Sequence, residues 1–348
     1  MRTAYIVEQG CQLHKDGNRL VVRRGREILR ELLLEDLQQL VLMGNIILTP
    51  PVMDLLIRNR VDTVFLTQKG RFRGRLMTSY TKNVTLRQAQ YTRLQDQEFA
   101  RRVASSIVVG KLQNMYLLLL RYNRRLKDEG IGSAAASIRA LRERLVEAPA
   151  LEVIRGIEGA ASRSYFSVFG KLLNAQGMEF RGRNRRPPLD PVNALLSFGY
   201  TMLANLLENQ VNLVGLDPYL GALHETEYGR PSLVCDLMEE YRPVFTDTLV
   251  ITLVNRKVIG KDDFVYRNVT DTTYETEEEL KEKRPVEMKP EVMKGFIEIF
   301  ERKLETRIQD PQSGNQVTYR YLVELQVRRF ARLVLGEEEN YIPFEWSR

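Results

Sequence analysis

The sequence predicts an α+β chain: a small β-rich N-terminal domain over residues 1–85 and a larger all-α-helical domain over residues 86–348. Three observations predict it. The first eighty or so residues hold short apolar runs bounded by turn residues. From residue 86 to 125 there is no proline, and Phe99, Val103, Ile107, Val108, Leu112, Tyr116 and Leu119 recur at helical spacing. Finally, 348 residues suit two domains, at roughly 100–200 residues each.

The elements follow in order. Residues 3–8 are a short β-prone run. Residues 12–23 contain Asp16-Gly17, a hairpin turn signal between apolar positions. Residues 37–42 and 61–67 are apolar stretches that fit buried strands. Thr49-Pro50-Pro51 opens a short helix, with Thr49 as N-cap and proline in the first turn. Residues 71–77 alternate basic and other residues, as in a half-exposed strand. After the helical run at 86–125, further helices are expected at about 149–175, 191–214, 232–241, 244–256, 290–308 and 318–335, with Pro191 and Pro290 at two of the starts. Residues 180–190 (FRGRNRRPPLD) and 262–289 read as mobile loops. There is no internal repeat.

Composition excludes several classes. Hydrophobic residues are 43% and charged residues 28%, so the chain is neither disordered nor collagen-like. Two distant cysteines, Cys11 and Cys235, exclude a disulfide scaffold and fit a reducing compartment. The longest uncharged runs, 37–53 and 191–207, have 17 residues each and contain Asn or Gln, short of the ~20 apolar residues of a membrane span. The first ten residues have no apolar signal core, so a cytoplasmic protein is expected. The net charge of +7 favours acidic partners such as nucleic acid. Residues 1–85 carry +6 of it, so the basic pI does not place a nucleic-acid site in the larger half.

Most catalytic motifs are absent. There is no P-loop, no G-x-S-x-G elbow and no C-x-x-C, and H-E-x-x-H fails because position 228 is Tyr. The histidines are His14 and His224. His14 flanks the hairpin turn and reads as a surface residue. His224 lies in residues 215–243, where Asp217, Glu225, Glu227, Asp236, Glu239 and Glu240 crowd around Gly229-Arg230-Pro231. On a helix beginning near Pro231, Asp236, Glu239 and Glu240 are spaced i, i+3, i+4 and share a face. That face is either solvated or, with the nearby imidazole, a ligand set for Mg²⁺, Mn²⁺ or Zn²⁺. A third candidate is Glu158, set among Gly156, Gly159, Ala160 and Ala161 on a helical pattern. Helix glycines cost about 1 kcal/mol each relative to Ala. They fit either tight helix packing or the close approach of a ligand.

Four blocks, residues 33–51 (LLEDLQQLVLMGNIILTPP), 154–173 (IRGIEGAASRSYFSVFGKLL), 190–200 (DPVNALLSFGY) and 216–243, resemble blocks of the CRISPR-associated adaptation integrase family, the first numbered protein of the Cas series, in family order and over essentially the whole chain. The resemblance implies a β domain (1–85) that dimerises and a helical, metal-dependent catalytic domain (86–348). It implies that Glu158, His224 and Glu239 bind a divalent metal, Mg²⁺ or Mn²⁺, with Asp236 as a further catalytic-site residue. Some members carry Asp where this chain has Glu239. Arg163, Tyr165 and Asn193 would line the site or hold DNA. Lys171 and the loop residues Arg181, Arg183, Arg185 and Arg186 would also contact DNA, unless that loop is merely solvated.

The implied activity is metal-dependent DNA cleavage and strand transfer. A free 3′-hydroxyl of a short foreign fragment attacks a phosphodiester of the CRISPR repeat, in an antiviral defence system. The implied partners are double-stranded DNA (protospacer and repeat), a second copy of the chain, and the second Cas-series protein in a heterohexameric complex in the prokaryotic cytoplasm. A non-catalytic scaffold subunit is the alternative; a degenerate member should lack a ligand, whereas Glu158, His224 and Glu239 are all present. The tail, residues 336–348, carries the single tryptophan, Trp346, and reads as docking a partner in preference to its own domain.

Overall fold

The computed structural model describes residues 3–68, 70, 72–76, 83–184, 187–266 and 285–346. It separates into two compact units, Met1–Lys82 and Asn83–Arg348. The chain is α+β, with strands dominating the first unit and helices the second.

The N-terminal unit holds two four-stranded sheets. One contains β1 (Thr3–Ile6), β5 (Gln39–Met43), β7 (Asp62–Leu66) and β8 (Phe72–Leu76), in the order β1-β5-β7-β8. The first three run parallel and β8 antiparallel. All five residues of β5 are buried, as its apolar sequence requires. The other sheet has the order β4-β3-β2-β6, with β2 (Gln12–Asp16), β3 (Arg19–Arg24), β4 (Glu27–Leu33) and β6 (Ile47–Leu48). The expected hairpin joins β2 to β3 with Asp16 opposite Arg19, and Gly17 takes the positive φ of the turn (+55°). β4 was not expected. It is an edge strand that buries Leu32 and exposes most of its other residues, so it lacks the apolar alternation of a half-buried strand. Helix α1 (Pro50–Arg58) starts with two prolines as predicted. Thr49 precedes it without capping; its hydroxyl donates to Leu13 O instead.

In the second unit the apolar run at 86–125 forms two helices, α2 (Val84–Gln95) and α3 (Gln97–Leu126). Asp96 breaks the run because its carboxylate accepts the N–H groups of Glu98 and Phe99, capping α3. α3 is the central helix. It is long and apolar enough to cross a membrane by length and composition, although about two thirds of its most apolar window is buried in the domain. α4 (Glu129–Arg144), missed in the sequence, is capped by Asp128 and packs on α3 and α5 (Leu151–Phe169). α6 (Pro191–Val214) packs on α7 (Ser232–Met238) and α10 (Tyr319–Leu335). α7 stops at Met238, short of the expected Tyr241. A π-helix, Arg242–Asp247, then carries the chain into α8 (Thr248–Asn255). Such wide turns are rare overall and frequent at functional sites. The short strands β9 (Phe264–Tyr266) and β10 (Val286–Met288) pair antiparallel; the expected loop between them lies largely outside the described residues. α9 (Pro290–Leu304) leads to the hairpin of β11 (Arg307–Gln309) and β12 (Gln316–Thr318), which precedes α10.

The tail corrects an expectation. Residues 341–346 pack on their own domain: Tyr341 and Phe344 are buried, Phe344 stacks on Tyr241 at 5.4 Å, and Arg121 lies over the Trp346 ring at 5.0 Å.

Candidate active site

His224 lies in the irregular segment between α6 and α7, so its position depends on bonds to that segment's main chain. Fully buried Gln90 of α2 donates to Asp217 O and Leu220 O at 2.9 Å and accepts from Asp217 N at 2.8 Å. Arg155 of α5 donates to Leu223 O at 2.7 Å. Asp236 of α7 accepts from the N–H groups of Ala222 (2.6 Å), Leu223 (2.9 Å) and His224 (3.0 Å). Its Oδ1 also meets His224 Nδ1 at 2.6 Å. Gly221 is required here, because a Cβ would collide with the Asp236 carboxylate. The imidazole is thus fixed at Nδ1, leaving Nε2 turned toward Glu239 Oε1 at 3.9 Å.

Glu158 arrives from α5 and Glu239 from the turn after α7, and both meet a residue the sequence reading missed. Lys111 of α3, 3% exposed, pairs its ammonium with Glu158 Oε1 and, at 2.6 Å, with Glu239 Oε2. Its signal was a lysine on the apolar stripe, four residues after Ile107. Arg242, first residue of the π-helix, pairs with Glu239 Oε1 at 3.0 Å. Burial alone would raise the Glu239 carboxyl; Arg242, Lys111 and His224 outweigh it and hold the group at about 2. Ser162, one turn beyond Glu158, donates to Glu158 Oε1 at 2.8 Å.

The three acidic residues after Pro231 do not form a solvated face. Asp236, Glu239 and Glu240 are all 1% exposed or less and point to three different structures. Asp236 holds the His224 segment, Glu239 faces Lys111, and Glu240 accepts from Tyr341 OH (2.5 Å) and Phe344 N (2.6 Å) in the tail. Asp236 lies beside His224, its oxygens spent on main chain and imidazole. The glycines around Glu158 are not packing sites: a Cβ at Gly156 would meet nothing within 4 Å, and one at Gly159 only Arg163 Nη1.

Two expected DNA contacts are internal. Tyr165 is 0% exposed and donates to Asp247 Oδ2 at 2.8 Å, as Tyr200 does to Oδ1 at 2.6 Å. Asn193 is also 0% exposed; it bonds Gly182 O, Asp190, Asn184 N and Arg183, shaping the loop from inside. Arg183 turns inward as well, to Asn193, Ser197 and the Tyr200 ring. Arg163 is exposed, Lys171 pairs with Asp128, and the Arg181 side chain is 90% exposed beside Glu179. Arg185 and Arg186 lie outside the described residues.

Glu158 and Glu239 thus share the Lys111 ammonium, and His224 faces Glu239, the three residues coming from separate segments. Among the described residues no three His, Cys, Asp or Glu side chains stand at metal-holding spacing; the Lys111 ammonium lies between the two carboxylates. The donor set nevertheless fits a divalent cation. The carboxylates already share one cation, buried Glu239 Oε2 takes no aligned hydrogen bond, and a carboxylate orients the imidazole as in metal–histidine sites.

Comparison with known proteins identifies the family of the chain. The chain is 34% identical over 345 residues to the CRISPR-associated endonuclease Cas1 3 of Thermus thermophilus, covering 98% of this chain and 96% of that one. It is 32% identical over 352 residues to the CRISPR-associated endonuclease Cas1 1 of Chlorobaculum tepidum, covering 99% and 98%. Among solved structures, a Cas1 protein from Thermotoga maritima matches at a TM-score of 0.80 and 23% identity over 99% of this chain and all of that one. A casposase bound to its integration product matches at 0.84 and 22% over 100% and 95%. In a Cas6-RT-Cas1–Cas2 complex the match is 0.84 and 21%, over 99% of this chain and 36% of that polypeptide. The family model for CRISPR associated protein Cas1 matches residues 4–283, and the chain belongs to that family.

Proposed function

We propose that this chain is a CRISPR adaptation integrase: a metal-dependent DNA endonuclease and strand transferase that inserts short foreign fragments into a CRISPR array. The observation that carries it is the Lys111 ammonium shared by Glu158 and Glu239, with His224 Nε2 3.9 Å from Glu239 Oε1 and its Nδ1 held by Asp236. Two carboxylates and an imidazole would hold Mg²⁺ or Mn²⁺, the nitrogen favouring Mn²⁺ somewhat. When bound, that metal supplies charge stabilisation to the phosphate under attack.

The chain's own residues prepare this point. Arg242 keeps Glu239 ionised, and Ser162 steadies Glu158. The open α5 face at Gly156 and Gly159 leaves room for a DNA backbone beside Glu158. Arg163, Lys171 and Arg181 supply the cationic contacts, with Arg185 and Arg186 proposed from the sequence. Those contacts are to phosphates, without strong base readout. The β-rich domain is proposed to dimerise the chain, and two dimers to flank a dimer of Cas2 in the manner the family resemblance implies, giving paired sites for the two ends of a repeat.

The test is strand transfer of a short labelled duplex into a supercoiled repeat-bearing plasmid with Mn²⁺, Mg²⁺ or EDTA, with and without Cas2. Metal-dependent joining by the wild type, lost in Glu158→Ala and His224→Ala while duplex binding persists, is expected. Equal joining by these variants would sink the site assignment.

A further inference from the structure

The tail reaches the site through two buried polar residues. Asn114 of α3 lies three residues after Lys111, on the same helix face. It is 0% exposed, and its amide is fully used. Nδ2 donates to Glu240 O at 2.8 Å and Phe344 O at 2.9 Å, and Oδ1 accepts from Trp346 N at 2.7 Å. Only one orientation of the amide satisfies two carbonyls and one N–H, so the arrangement is specific. Glu240 completes the junction with its bonds to Tyr341 OH and Phe344 N, and Gln326 of α10 donates to both Tyr341 OH and Ile342 O.

Backbone shape agrees. Gly110 sits inside α3, where glycine is disfavoured relative to alanine. A Cβ there would fall 2.6 Å from Pro343 Cβ, so the glycine admits the tail against the helix. Tyr241, next to Glu240, stacks on Phe344 with ring planes 10° apart. Residues 240 and 241 are therefore pinned from α3 and from the tail, and Glu239 precedes them directly.

We propose that residues 341–346 act as a clasp that sets Glu239 against Glu158, with Asn114 and Glu240 as its positioning residues. This rests on the metal site proposed above. The clasp makes metal affinity depend on a segment that holds none of the ligands. A one-residue displacement at 240 moves the Glu239 carboxylate away from Lys111 and His224.

The experiment uses the full chain and three readouts: Mn²⁺ affinity by electron paramagnetic resonance, emission of Trp346 as the single tryptophan, and thermal melting. Glu240→Leu, Asn114→Ala and Gly110→Val should red-shift the emission and weaken Mn²⁺ binding by about tenfold or more, the usual effect of losing a residue that orients a ligand. Glu240→Gln, which retains an acceptor, should stay near the wild type. Should the stronger variants fail to fold, Tyr341→Phe, which deletes one hydroxyl, carries the same test. A red-shifted variant with wild-type Mn²⁺ affinity, or a Glu240→Leu with unshifted emission, overturns the clasp. Glu158→Ala is the reference: it should lose Mn²⁺ with emission unshifted. Wild-type Mn²⁺ affinity in Glu158→Ala would instead overturn the metal site and the clasp with it.

Discussion

Asp236 accepts three main-chain N–H bonds and the His224 Nδ1 contact, so its carboxylate acts by holding a loop and an imidazole. Asp236→Asn keeps the shape and removes half of the acceptor capacity. It is expected to lower Mn²⁺ affinity by about 10–100-fold and stability by roughly 1–3 kcal/mol; titration and melting check the two separately. Lys111 makes the opposite case. Removing one member of a buried ion pair leaves an uncompensated charge, at a cost of about 3–5 kcal/mol. Lys111→Met should therefore melt well below the wild type in EDTA, and added Mn²⁺ should restore more of its melting temperature than it adds to the wild type. An equal Mn²⁺ increment in both proteins would show that Lys111 does not share the carboxylates with the cation. Glu158 and His224 stood out in the sequence as polar residues in unusual company, and the family resemblance is what implied their role. Lys111 and Arg242 did not: Glu158 lies 47 residues from Lys111, and Arg242 falls between the two helices expected at 232–241 and 244–256.

At the scale of elements, the π-helix Arg242–Asp247 does two jobs. Its first residue pairs with Glu239, and its last, Asp247, receives the hydroxyls of Tyr165 from α5 and Tyr200 from α6. Burial pushes the Asp247 carboxyl up to about 6, against the two tyrosine hydroxyls and the Arg183 and Arg242 charges that lower it. The sign follows from proton counting. Between its ordinary value of 3.8 and about 6, the folded chain holds a proton that the unfolded chain has lost. Its contribution is fully present below 3.8 and fades as pH rises through about 6. Asp247→Asn should flatten that part of the stability profile, as denaturant melts from pH 4 to 7 would show; an unchanged slope would mean Asp247 ionises normally. On α3, Leu118 is fully buried, and Leu118→Ala should cost about 2–5 kcal/mol in the same melts. The helical period identified α3, α5, α6 and α10, because each buries an apolar stripe. It missed α4, whose Gly-Ala-rich sequence buries only Ile131, Ala134, Ala135 and Ile138 and so offers few large apolar residues, and β4, an edge strand with one buried residue.

For the molecule as a whole, the excess of positive charge lies in the N-terminal 85 residues, so the proposed DNA binding near the site would rest on individual side chains. Arg181 points outward and Arg183 inward. Arg181→Ala should weaken duplex binding and reduce the slope of log affinity against log salt by about 1. Arg183→Ala should act chiefly through the loop's stability; an equal reduction of the salt slope in both variants would show both side chains on the DNA. The division between chain and fold runs along the same line. Period, turn residues and proline placement identified the α+β class, the hairpin and most helices, because these depend on neighbours within one or two turns. The blocks around Glu158 and His224 were legible because they are short and local. Which carboxylate orients and which faces a cation, that Tyr165 and Asn193 are internal, and that the tail closes on its own domain were settled only when distant segments packed. Each depends on where a buried polar group finds its partner, and a partner more than a hundred residues away, as Asn114 has in Glu240, Phe344 and Trp346, leaves no periodic trace in the sequence.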